Sequence, residues 1–262
     1  MNARIAHPLP VLMYHGLHAD AHAHGRFDPV YSVHPDEFAR QLDWLLAQGY
    51  HAIRADGRSA PAQARPVAIT FDDGDVSNLE IALPLLRERG MVATFFVTSG
   101  FVNQPGMLST EQLRALAAAG MAIGAHGRSH AFLEDLDEAM LAAELRDSRA
   151  CLSGISGQAV DAMALPGGRG GERERRAARA AGYRHLFGSV PGPNRRRDGD
   201  GWLQRIAVTR ATTPAEFAAL VAWRGLRPRL ARARFAALAW PKRVLGNAGY
   251  ERLRAQLLGN AR

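Results

Sequence analysis

Cysteine is almost absent: Cys151 stands alone among 262 residues. No disulfide can form within the chain, which suits a reducing compartment. Lysine is as rare. Of 33 basic residues only Lys242 is a lysine, and the arginines are spread over most of the sequence. The net charge of +8 and the pI of about 10.6 therefore read as a chain-wide arginine bias rather than a binding face, and nucleic acid is not an expected partner. Long apolar runs are missing too. None approaches the 18 residues of a membrane span. The opening MNARIAHPLPVLMYHGLH has only a short apolar run, broken by Pro8, Pro10 and His15, and does not read as a secretory signal. The expected location is cytoplasmic. What remains is the composition of an ordinary soluble globular protein, 47% apolar and 22% charged, with length for one large domain or two small ones.

The pattern along the chain is an alternation. LPVLMY, YHAI, VAITF, MVATFFVTS, MAIGA, AVDAMAL, YRHLFGS and WLQRIAVTR read as strands. Between and after them, segments 34–49, 77–90, 109–120, 137–155, 172–182 and 213–223 read as helices. In the first of these Phe38, Leu42, Leu45 and Leu46 follow helical spacing, and Gly49 can end it. Ser109 or Thr110 is the N-cap expected of the third. Phe95, Phe96, Trp44 and Cys151 occupy positions expected in the core. The strands lack polar alternation, which predicts parallel strands covered by helices. About seven such units favour a closed or nearly closed β/α barrel, where chemistry belongs at the C-terminal ends of the strands.

Candidate chemistry gathers at those ends. VAITFDDGDV (67–76) closes a strand on two adjacent carboxylates, Asp72 and Asp73. Taken alone, Asp-Asp-Gly is an ordinary way to leave a strand. MAIGAHGRSHAFL (121–133) then places His126 and His130 after another strand, a spacing that can aim two imidazoles at one metal ion. His15 follows the first strand, and MALPGGRG (163–170) makes a Pro-Gly-Gly turn after a later one. One acid and two histidines with positions left for water and substrate are the set expected of catalytic zinc, and the neighbouring carboxylate can serve as general base. Co2+, Ni2+ or Fe2+ would also accept these ligands.

TFDDG (70–74) together with HGRSH (126–130) resembles the first two signature motifs of the polysaccharide deacetylases, the NodB-homology or carbohydrate esterase 4 family. ALPGG (164–168) is similar to the third, and the likeness runs over about residues 9 to 222. The opening segments LPVLMYHGL and HPDEFARQLDWLLAQGY look like those of the family's bacterial exopolysaccharide members. The resemblance implies a distorted, incomplete (β/α)7-type barrel over residues 1–222; beyond it, residues 223–262 read as a basic C-terminal helical extension. It implies Asp73, His126 and His130 as ligands to a divalent metal, usually Zn2+. It implies Asp72 as catalytic base, and the Gly167 N–H as oxyanion donor. The implied activity is removal of an N-acetyl group from a sugar of a bacterial exopolysaccharide or surface glycan. His15, Pro166 and Gly168 are the expected substrate contacts.

Two positions depart from the family pattern. The arginine of the third motif, which orients the base, falls on Ala164, leaving Arg128 or Arg169 to stand in. The family's late histidine, a general acid, has no counterpart after His130 except His185. His185 is thus either that acid or a structural histidine. His18, His22 and His24 form either a metal tract or a flexible loop over the barrel mouth. The arginine-rich residues 224–262 read as helices, either packed on the barrel or presenting a basic amphipathic surface to anionic lipid, as a lipid-linked glycan substrate would require. Two other functions fit the same residues: hydrolysis of a non-sugar amide, and a glycan-binding barrel whose catalysis has lapsed.

Overall fold

In a computed structural model the described residues are 8–55, 65–194 and 202–237. Arg195, Arg196 and Arg197 and most of the C-terminal extension, 238–262, lie outside them.

Eight strands form one sheet: β1 (Val11–Tyr14), β2 (Tyr50–Ile53), β3 (Arg65–Asp73), β4 (Thr94–Val97), β5 (Ala122–Ala125), β6 (Ala162–Ala164), β7 (His185–Phe187) and β8 (Ile206–Ala207). Their order is β7-β6-β5-β4-β3-β1-β8, with β2 on the first half of β3. Every strand pairing is parallel. Helices α1 (Pro35–Ala47), α2 (Leu83–Glu88), α3 (Thr110–Ala118), α4 (Glu138–Ser156), α5 (Glu172–Ala180) and α6 (Pro214–Ala222) flank the sheet. This is an incomplete (β/α) barrel. Short strands of two to four residues, apart from β3, make it distorted. Its ends nearly meet: Leu203 exchanges backbone hydrogen bonds with Leu186 and Gly188 at β7, three residues before β8 joins β1.

Strand side chains alternate between two layers. Leu12, Tyr14, Ile69, Phe71 and Phe95 face the helices, with Phe71 stacked between Tyr14 and Phe95 at 5.4 and 5.1 Å. Val11, Ala68, Phe96, Ala162, Ala164 and Phe187 fill the barrel interior. Small residues prevail inside for a steric reason. A Cβ on Gly124 would stand 2.5 Å from the Phe96 ring.

Local signals place the helices. Ser109 and Gln112 close a capping box on α3, Asp137 caps α4, and Gly157 ends α4 in the left-handed conformation. Segment 77–90 is not one helix. Pro84 has no N–H to give, and a π turn over Asn78–Ala82 precedes α2. Leu46 is 44% exposed, outside the stripe of Phe38, Leu42 and Leu45. Cys151 is exposed rather than in the core. The buried stripe of α4 runs through Leu141, Leu145, Ser148 and Leu152, and one position before Leu152 is about 100° round the helix. Among the described residues no helix is long and apolar enough to cross a membrane.

Candidate active site

The two carboxylates at the end of β3 point apart. Asp72 continues the inward row of Ala68 and Thr70 and is buried. Asp73 leaves the strand at φ 73°, and Gly74 follows at 91°. The turn is tight against β4, since a Cβ on Gly74 would touch Val97 at 3.0 Å. Among the described residues four non-glycines have positive φ, and two of them are Asp73 and His130. Such backbone costs about 1–3 kcal/mol for each residue and persists where surrounding structure demands it.

His126 follows β5, and its backbone N–H is bound by Val97. Its Nδ1 lies 2.9 Å from the Ala164 carbonyl oxygen. A carbonyl can only accept, so Nδ1 carries the proton and donates it, and Nε2 presents a lone pair. Burial lowers the pKa of His126 and keeps the ring neutral. That lone pair faces Asp73 Oδ1 at 3.5 Å, and His130 Nε2 lies 3.3 Å from the same oxygen. Asp73 Oδ1 is buried and makes no hydrogen bond of good geometry. Three donor atoms thus converge within 4.8 Å. Ligands of a tetrahedral ion with bonds of about 2.0–2.1 Å stand roughly 3.3–3.4 Å apart. The donor set and its spacing fit a divalent cation. Burial by itself would raise the pKa of Asp73, but His130 and then His126 outweigh it, and the carboxyl is held well below the usual range.

Asp72 is held by a residue that sequence reasoning missed. Arg205, fully buried in the barrel interior, donates from both terminal nitrogens to Asp72, at 2.6 and 2.8 Å. Its Nε donates to the Gly188 carbonyl at 2.8 Å, and the guanidinium lies over Phe96. Burial would raise the pKa of Asp72. The Arg205 charge, then the His126 charge, the hydrogen bonds from Arg205 and last the His15 charge reverse this, and the net shift is downward. Asp72 is therefore an ionised buried carboxylate, with Oδ2 3.8 Å from His126 Nε2. Neither Arg128 nor Arg169 takes this part. Arg128 reaches toward Asp147 on the surface, and Arg169 stacks over Phe132 near Glu134.

A cavity opens beside the carboxylates, lined by His15, Arg26, Tyr31, Asp72, Asp73 and Phe101 among others. The His15 ring stacks on Tyr31 with centroids 4.5 Å apart, and its Nδ1 is buried without a hydrogen-bond partner. Asn78 fixes the His15 carbonyl from the π turn. The loop from Gly16 to Val33, one wall of this cavity, is pinned. Asp75 accepts from the backbone of Arg26 at 2.6 Å, buried His18 reaches Ser32 and Asp75, and Arg210 donates to the carbonyls of His18, Ala19 and Ser32. The three early histidines do not converge: His18 is buried, and His24 is exposed beside Glu80.

The Pro166–Gly168 turn follows β6 on the other side of the cluster. Pro166 is buried beneath the turn, whereas Gly167 is exposed, in the left-handed conformation against Phe132. Neither Pro166 nor Gly168 lines the cavity. His185 is not brought to the cluster. It opens β7 level with Ala162, whereas the site lies past Ala164 and Phe187 at the far end of these strands. The only advance sign of Arg205 was an arginine inside a short apolar strand, which needs a buried anion to be stable.

Residues 59–186 match the family model described as polysaccharide deacetylase. A Bacillus subtilis protein provisionally named as a polysaccharide deacetylase, YxkH, is 28% identical over 220 residues, 81% of this chain and 76% of that protein. Among solved structures, a polysaccharide deacetylase of Bacillus cereus superposes with a TM-score of 0.74 at 25% identity, over 82% of this chain and 69% of that one. IcaB of Ammonifex degensii superposes at 0.71 with 28% identity, over 83% and 97%.

Proposed function

The chain carries a domain of the polysaccharide deacetylase family, and from that premise we propose that it hydrolyses the N-acetyl amide of a sugar in a bacterial exopolysaccharide or surface glycan. The observation that carries this reading is the pairing of a buried, ionised Asp72 with three converging donor atoms on Asp73, His126 and His130. Those three residues would hold a divalent ion, Zn2+ first among the candidates. When bound, such an ion would supply Lewis acidity toward the acetyl carbonyl and would lower the pKa of water, easing the deprotonation that makes it a nucleophile.

The chain's own residues do the rest. Arg205 keeps Asp72 ionised and fixes its plane, so a carboxylate lone pair can take the proton of the attacking water. Proton transfer of this kind is typically worth 10²–10⁴-fold. Gly167 is exposed on the turn after β6, and its N–H is the donor assigned to the developing oxyanion. His15, which lines the cavity with both carboxylates, is the proton donor to the leaving amine. The C–N bond breaks as the amine takes that proton, and acetate and amine leave. An arginine kept on the base favours turnover over a lapsed binding barrel, because a binder gains nothing from holding a buried carboxylate ionised.

If the substrate is lipid-linked, residues 224–237, helical from 227, supply a surface for anionic lipid. Leu226 and Leu230 are exposed there among Arg224, Arg227, Arg229, Arg232 and Arg234. The test of the main reading is acetate release from a panel of N-acetylated oligosaccharides by the zinc-loaded protein, beside Asp72→Asn. Acetate from the parent alone supports the reading. Metal bound at one per chain with no acetate from any sugar moves it to a non-sugar amide or to binding.

A further inference from the structure

Glu144 is a buried acid that the mechanism above does not use. It stands on α4, 7% exposed, and among the described residues no cationic side chain pairs with it. Backbone takes the place of a counter-ion. Its Oε1 accepts from the N–H of Arg128 at 2.7 Å, from the N–H of Ser129 at 2.6 Å, and from Ser129 Oγ at 3.1 Å, and Oε2 accepts from the same hydroxyl. Consecutive N–H groups turned to one side form an anion-binding nest. Here the nest is the loop between the two histidines.

The carbonyls of that loop are held from the opposite side. Gly127 O accepts from Ser99, and Arg128 O from Gly100 at 2.8 Å. The fit leaves no slack. A Cβ on Gly127 would come 2.9 Å from Glu144 Oε1, and one on Gly100 would come 2.4 Å from Arg128 O. Gripped in this way, the loop enters at φ 76° at Gly127 and leaves at 64° at His130. Its exit brings the His126 and His130 rings to 5.1 Å, and Phe101, from the turn that grips the carbonyls, stacks on His130. An L residue resists this backbone at His130, so an outside template must impose it.

We propose that Glu144 is the positioning residue of the metal-ligating loop: its carboxylate is the template on which residues 127–130 fold, and it thereby sets the affinity of Asp73, His126 and His130 for a divalent ion without touching that ion. The inference rests on the metal reading given above and extends it to a residue on a helix behind the ligands.

The experiment is a titration of the metal-stripped full chain with Co2+, read by its visible spectrum and by competition with a chelator. It compares the parent, Glu144→Gln, Glu144→Ala and His126→Ala, with thermal midpoints of the metal-free proteins. Residues that orient ligands are worth about 10–100-fold in metal affinity. Glu144→Ala should reach the upper end of that range and change the Co2+ spectrum. Glu144→Gln keeps an acceptor at Oε1 but not the charge. It should fold like the parent, keep the parent's spectrum and lose about tenfold. That variant decides the matter if Glu144→Ala does not fold. A one-per-chain site that His126→Ala abolishes and both Glu144 variants leave at parental affinity overturns the proposal alone, even if their midpoints fall. A parent that binds no Co2+, or binds it as well after His126→Ala, overturns the metal reading and this proposal with it.

Discussion

Replacing Arg205 by methionine removes the cation and leaves most of the volume. Asp72 and Arg205 are 2% and 0% exposed, so the carboxylate left behind is screened from bulk water. Deleting one partner of a buried ion pair costs about 3–5 kcal/mol if the other stays charged. Asp72 can escape by taking up a proton, and at 1.36 kcal/mol per pH unit that penalty corresponds to roughly two to four units. In the parent the pKa of Asp72 is lowered, so the ionised carboxylate contributes stability above the ordinary carboxylate range and loses it as pH falls through its folded pKa. In Arg205→Met burial acts unopposed, and the sign reverses: the neutral carboxyl is favoured at low pH and the site destabilises as pH rises. The stability gap between variant and parent should therefore widen from pH 5 to pH 8, measured by thermal unfolding of the metal-free proteins. The acid limb of kcat/KM should move up by about two to four pH units, and turnover at neutral pH should fall about 10²–10⁴-fold, the worth of a general base. Arg205→Lys, a point charge without the two-pronged geometry, should fall between. An equal stability gap at both pH values, with an unmoved acid limb, would refute the assignment.

Other substitutions test neighbouring parts of the argument. Gly124→Ala pushes a methyl to 2.5 Å from Phe96; overpacking of this kind costs about 1–3 kcal/mol, so differential scanning calorimetry should show Tm lower by roughly 2–10 °C. His15→Gln should lower kcat by about 10²-fold or more, whereas His185→Gln, at the far end of β7, should leave it within about twofold; steady-state acetate release ranks the two, and the reverse order would exchange their roles. Cys151 is exposed, so a thiol reagent should label the folded protein at one per chain without loss of turnover, and labelling only after denaturation would show the residue buried.

Which features could be read in advance follows from how far apart in the chain their parts lie. Asp72 and Asp73 adjoin and close β3, and His126 and His130, four apart, come after β5. The parallel sheet was legible because six helical patterns separate apolar strands. Cys151 went astray by one helical position, which periodicity over a weakly amphipathic helix does not resolve. Glu144 carries no signal at all, since an acid on such a helix reads as solvent-facing. Its partners are backbone N–H groups, and sequence does not show where those point.

The arginine of Asp72 was set by barrel geometry instead, and so was the exclusion of His185. Residue order allows His185 a place near the site, but strand register puts it at the wrong end of β7. Arg205 lies 133 residues from Asp72, and nothing local to either residue names the other as its partner. Its position is decided by closure of the sheet. Leu203 is bonded to β7, Val208 N–H to Met13 of β1, and the two residues of β8 lie between. A strand that short adds little as a ladder. Anchored on both flanks, it can place one side chain across the barrel interior, and the side chain it places is the counter-charge of the base. The segment that nearly closes the fold is thus the one that keeps Asp72 ionised, which ties the integrity of the barrel's last seam to the proton transfer at its centre.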